Sequence, residues 1–127
     1  MLFEKGLPVT TLTEKTPCDG AVHDIIDRGL LHPVFQPIID FRVRACLGFE
    51  ALIRGPERSP LHAPAALFAA ARDAGRGLEL EHACREASLR AFARLRLPGR
   101  LFVNVTPGAL LTPEWMNGET RRLLAEL

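Results

Sequence analysis

The chain has 127 residues, 47% hydrophobic and 24% charged, a composition that suits one soluble globular domain of ordinary size with a real core. A formal net charge of +1 supplies no overall field to draw in a DNA or RNA polymer or an anionic membrane, so any anionic ligand has to be caught locally. No apolar run approaches the ~20 residues of a membrane span, and Met1–Gly20 lacks the basic stretch and apolar block of a secretory signal. Cys18, Cys46 and Cys84 are widely spaced with no CxxC pair, which argues against a zinc site or disulfide framework and for the cytoplasm.

Residues 1–20 read as a flexible tail, because Gly6, Pro8, Pro17, Gly20 and several threonines break any period. A single domain is expected over 21–127. Val22, Ile25, Ile26 and Leu30 have helical spacing, with Asp19 or Gly20 available as a cap. His32–Asp40 reads as a strand bounded by prolines and a turn-forming aspartate, and a second strand follows from about Arg44 to Arg54. The link between them is too short for a helical crossover, so the two strands should pair antiparallel. The residues Arg42-Val43-Arg44 hold no glycine, which leaves the turn type open.

After Gly55 a loop runs from Pro56 to Ala63, and Pro64 opens a helix marked by Leu67, Phe68, Ala71 and Ala74, without a side-chain cap at Ala63. Gly75 and Gly77 end that helix. A longer helix spans about Leu78 to Leu97, with Leu80, Cys84, Ala87, Ala91 and Leu95 on one stripe and Glu79, Arg85, Glu86, Arg90 and Arg94 on a solvent face. Pro98-Gly99 should stop it. Leu101–Val105 is a short apolar strand, Thr106-Pro107 looks like a helix start, and Thr112-Pro113 repeats that device to open a last helix running to Leu127. Strands alternating with helices imply an α/β layer or barrel.

The chemistry-bearing residues lie on two of these strands. Alternation puts Glu50, Leu52 and Arg54 on one face and Phe49, Ala51 and Ile53 on the other. Charged groups on an apolar strand are costly unless paired or used. Glu50 and Arg54 either form a structural ion pair or hold a divalent metal and a phosphate respectively, roles that suit a hard oxygen ligand and a planar fork of donors. Asn104 interrupts an apolar run and shares a face with Phe102 and Thr106; its amide either satisfies a nearby backbone group or offers a hard neutral ligand to Mg²⁺ or Mn²⁺.

Three blocks together resemble the opening of EAL domains: Phe35-Gln36-Pro37-Ile38-Ile39-Asp40, then Gly48-Phe49-Glu50-Ala51-Leu52-Ile53-Arg54, then Val103-Asn104-Val105-Thr106. The resemblance covers roughly residues 22–127. It implies a partial TIM-type (β/α) barrel with an antiparallel first strand, about half of the full barrel being present. It also implies a two-metal site, with Mg²⁺ or Mn²⁺ clamping one phosphodiester of cyclic di-GMP while an activated water attacks to give linear pGpG. In that pattern Glu50 and Asn104 are metal ligands, Arg54 contacts phosphate, Gln36 meets the ligand by hydrogen bond and Leu52 by apolar contact. Gln36, beside a proline near a strand end, also fits a plain turn residue.

The sequence departs from the family beyond Asn104. The family continues with a further metal-binding glutamate, an adjacent aspartate pair, a lysine that helps activate water and a later glutamate, whereas Glu114, Glu119 and Glu126 have helix-surface spacing. A full barrel takes about 250 residues. No complete catalytic set is therefore expected in these residues. The expectation is a truncated cyclic di-GMP phosphodiesterase domain, inactive alone, or else a non-catalytic cyclic di-GMP-binding or protein-interaction module. Self-association through an open barrel edge, or the dimerisation that the EAL resemblance implies, is a further expectation. His62, in a loop that varies among EAL sequences, reads as an exposed loop histidine or a ligand contact.

Overall fold

The computed structural model describes residues 17–127, so residues 1–16 of the tail expected over 1–20 lie outside the described residues, while residues 17–20 belong to a helix instead of that tail. Helix α1 (Pro17–Arg28) starts ahead of the expected cap at Asp19 or Gly20, and it buries Val22 and Ile25. Gly29 at φ 62° ends the helix, and Leu30 N–H returns to the Ile25 carbonyl at 2.9 Å. That is the left-handed closure that a glycine adopts at no steric cost.

Strands β1 (His32–Asp40) and β2 (Ala45–Arg54) form the expected antiparallel hairpin. Its turn is solved without glycine. The Asp40 carboxylate accepts the Arg42 N–H at 2.8 Å, and Arg44 takes the positive φ of 52°. This is the local hydrogen bond that makes aspartate a turn former. A register shift between Ile38 and Ile39 leaves Leu47 without a partner across the hairpin. Pro33 and Pro37 are tolerated because β1 is an edge strand of this sheet.

β3 (Arg100–Phe102) adds to β2 in parallel, giving the order β1-β2-β3. It is shorter than expected: pairing stops at Phe102, and Val103 to Thr106 continue without a ladder. Gly48 lets β3 approach. A Cβ there would stand 2.1 Å from the Arg100 carbonyl oxygen, so any side chain would push the two backbones apart.

Between them run α2 (Pro64–Asp73) and α3 (Gly77–Leu95), which cover one sheet face. α2 lacks a side-chain cap at Ala63, as its sequence indicates. α3 ends at Arg96 in the left-handed conformation rather than at Pro98-Gly99 itself. The core joins Val22, Ile25, Leu31, Ile53, Leu61, Leu67, Ala71 and Leu80. Phe92 of α3 meets Phe35 and Phe49 edge-on, at 5.7 and 6.2 Å between ring centroids. Such pairs contribute about 0.5–1.5 kcal/mol beyond their burial.

Two expectations about the helices are corrected. Arg85, placed on the solvent face of α3 by spacing, is only 6% exposed. Its guanidinium lies 4.9 Å from the Trp115 ring centroid and donates to His82 Nδ1 at 3.0 Å, so an aromatic face and a ring nitrogen replace water around it. The last helix is also broken. After α4 (Pro107–Leu110) it divides into α5 (Pro113–Met116) and α6 (Glu119–Glu126), because Gly118 at φ 71° turns the chain before α6. Thr106 caps α4 as expected, whereas the Thr112 hydroxyl donates back to the Ala109 carbonyl instead of capping α5. Among the described residues no helix is long and apolar enough to cross a membrane.

Candidate functional site

The site is built on the sheet face that the helices leave open. Register pairs Gln36 with Glu50 and Glu50 with Phe102, and the same row logic pairs Val34 with Leu52 and His32 with Arg54. Directly opposed residues point to the same side of a sheet. Glu50, Leu52 and Arg54 therefore share one face, as their alternation indicates, and the hairpin register adds Gln36 to it. Ala51 and Ile53 point the other way and are buried at 8% and 7% exposure.

Asn104 reaches this face from beyond the end of β3. Its Nδ2 donates to Glu50 Oε1 at 3.0 Å, across 54 residues of sequence. The ion pair between Glu50 and Arg54 that the sequence left open is not made. Glu50 is partnered by Asn104, and Arg54 Nη1 donates to the Ile53 carbonyl at 2.8 Å. Among the described residues, that bond leaves the other donors of the guanidinium free. Asn104, Leu52 and Arg54 also line a cleft between strand and helices, with Ala51, Ile53, Phe68 of α2, and Arg85 and Ser88 of α3; Glu50 does not line it. Gln36 stands apart from that cleft, exposed on β1 in the row of Glu50.

Among the described residues, the Glu50–Asn104 contact leaves one carboxylate oxygen and the asparagine Oδ1 without a protein partner. Two hard oxygens at one spot suit Mg²⁺ or Mn²⁺ better than zinc, which takes nitrogen and sulfur ligands. The residues present therefore fit part of a divalent-metal site. Among the described residues no group of three or more His, Cys, Asp or Glu side chains converges into a metal-holding cluster.

The loop after β2 is tied back rather than open. Gly55 N–H donates to the His62 carbonyl at 3.0 Å, and His62 Nδ1 donates to the Gly55 carbonyl at 2.9 Å. His62 is half-buried, so the exposed loop histidine expected from sequence is corrected: its ring closes the loop. A Cβ on Gly55 would lie 2.1 Å from the Leu61 carbonyl oxygen, which is why glycine follows Arg54.

Spacing gave no sign of a second connection at this site. Glu81 of α3 accepts the Thr106 hydroxyl at 2.9 Å and the Thr106 N–H at 3.3 Å, two residues after Asn104. Thr106 was legible as a cap, but its long-range partner was not. Cys84, one turn further along α3, has its thiol pushed up to about 12 by burial and then by the negative charge of Glu81, so it stays a neutral thiol.

Comparison with known proteins agrees with this architecture. A family model described as "EAL domain" matches residues 20–127. No curated protein matches the chain. Among solved structures, the crystal structure of the FimX EAL domain superposes with a TM-score of 0.63 at 22% sequence identity. That match covers 84% of this chain and 45% of the FimX chain, so this chain spans less than half the length of that neighbour. With nearly all of its described residues inside the family match, this chain belongs to the EAL domain family.

Proposed function

We propose that residues 21–127 form the first part of a TIM-type EAL barrel that acts in metal-dependent hydrolysis of cyclic di-GMP to pGpG. The observation that carries this reading is the 3.0 Å contact between Asn104 and Glu50, with Arg54 lining a cleft that Asn104 also lines. In this reading Glu50 and Asn104 hold a divalent cation through their free oxygens. Arg54 binds a phosphate oxygen with the donors its backbone contact leaves free. Leu52 lies against the nucleotide as an apolar wall, and Gln36 donates or accepts at its edge. Bound Mg²⁺ or Mn²⁺ would supply Lewis-acid stabilisation of the phosphate and activation of water.

A second reading is a cyclic di-GMP-binding or protein-interaction module without turnover. The donor set favours it, since among the described residues two hard-oxygen ligands meet at the site and no larger metal-holding group forms. Two ligands do not hold two metals, and neither side chain is free to act as a base while it binds one. A cytoplasmic setting belongs to both readings and agrees with the free thiols of Cys46 and Cys84. So does self-association through the open edge of the sheet or by EAL dimerisation.

The test is a calorimetric titration of the purified chain with cyclic di-GMP, with and without Mn²⁺, alongside product analysis for pGpG. Nucleotide binding that needs Mn²⁺ and disappears in Glu50→Ala and Arg54→Ala, without turnover by the 127 residues, is the expected result. Binding that is indifferent to Mn²⁺ and to Glu50→Ala would refute the metal assignment. Formation of pGpG by the chain alone would refute the view that two ligands are insufficient.

A further inference from the structure

The backbone ladder of β3 ends at Phe102, yet Asn104 is delivered to Glu50 with hydrogen-bond geometry. Something past the strand end must fix this segment, and the structure supplies one device. The Thr106 hydroxyl donates to the Glu81 carboxylate, 2.9 Å from either oxygen, and the Thr106 N–H lies 3.3 Å from Glu81 Oε2. The same hydroxyl oxygen accepts the Ala109 N–H at 3.3 Å, which starts α4. Hydrogen bonds to an ionised carboxylate are about twice as strong as neutral ones.

Glu81 is itself firmly rooted. Leu80, its neighbour on α3, is completely buried in the core. A continuous path therefore runs from the core through α3 and Glu81 to Thr106, and from there two residues back to Asn104. Because the Glu81 carboxylate is committed to Thr106, it is not a third ligand competing at the Glu50–Asn104 spot.

We propose that Glu81, acting through Thr106, is a positioning residue that sets Asn104 against Glu50. Its consequence for metal binding rests on the functional reading above; the geometric claim does not. A cap serving only α4, a helix of four residues, would be lost without any change at Asn104. Positioning predicts that Asn104 itself responds.

The test uses the ¹⁵N-labelled 127-residue chain, read by the Asn104 side-chain amide resonance and by its broadening with Mn²⁺. Thr106→Val removes the hydroxyl while keeping the shape, Thr106→Ser keeps the hydroxyl, and Glu81→Ala removes the acceptor. The Asn104 amide should move to the position of a free side-chain amide in Thr106→Val and Glu81→Ala, and stay in place in Thr106→Ser. Mn²⁺ affinity should fall about 10–100-fold in the first two, the usual effect of losing a group that orients a ligand. An unmoved Asn104 amide in folded Thr106→Val would overturn the proposal, and this exposed site keeps the test available should Glu81→Ala fail to fold. Absence of Mn²⁺ broadening at Asn104 in the unaltered chain would instead sink the metal reading, while the amide shift still decides the positioning claim.

Discussion

The two faces of β2 divide one strand between two jobs. On one side Ala51 and Ile53 are buried in the core; on the other Glu50, Leu52 and Arg54 are only partly buried, and Asn104 meets Glu50. The residues alternate, so no segment belongs to the core or to the site alone. Packing side chains hold the strand while their immediate neighbours remain free to meet a ligand. The separation holds because each face has its own chemistry: dispersion and burial on one, charge and hard oxygen donors on the other.

Paired substitutions on adjacent residues give the largest effect. Ile53→Ala should cost about 2–5 kcal/mol of stability, the usual range for emptying a buried aliphatic site. Leu52→Ala, one residue away on the open face, should cost well under half of that while weakening nucleotide binding. Denaturant melts of the two variants compare the faces directly, and equal losses would break the distinction.

The cysteines sharpen the comparison at smaller scale. Cys46 is exposed on the hairpin, its thiol donating to the Gly48 carbonyl at 3.3 Å, whereas Cys84 lies among the core-packing residues of α3. With its thiol pushed up to about 12, Cys84 should resist iodoacetamide at pH 8 while Cys46 reacts, as read by peptide mass mapping. Equal labelling of both would mean that the helical layer opens easily.

The smallest expected effect is a pH dependence confined to the helical layer. Arg76 joins Asp27 of α1 to Glu79 of α3, at 2.6 Å to Asp27, and donates to His23 Nδ1 at 2.9 Å. The hydrogen bond to Arg76 is the main reason both carboxyls sit below their usual values of 3.8 and 4.5. A carboxyl depressed in the folded state stabilises it above the unfolded value and stops doing so as pH falls through the folded one. Thermal melts should therefore decline slightly below about pH 4, and Arg76→Ala should remove that part of the decline; exposed ion pairs are individually weak. An unchanged acid profile in Arg76→Ala would show that the α1–α3 link adds nothing.

Much of this was legible in the chain itself. Period-2 alternation separated the faces of β2, the short link forced an antiparallel hairpin, and Pro64 marked the start of α2. These are local consequences of side-chain direction and backbone sterics. Where reading failed, a distant group had intervened. Arg85 has the spacing of a surface residue, but Trp115, 30 positions later, covers it. The break at Gly118 was hidden because a glycine inside a helical pattern is compatible with continuation as well as with a turn.

Sequence alone determined which residue types were available, Glu50, Asn104, Arg54, Leu52 and Gln36, and which of them share a strand face, since alternation follows from the geometry of extended backbone. Only the tertiary structure decided how they are partnered. Glu50 meets Asn104 rather than Arg54, and Glu81 holds Thr106, because these contacts depend on how β3 docks through the gap at Gly48 and how α3 lies across the sheet. Contacts spanning 54 and 25 residues have no local signature, and it is packing that sets them.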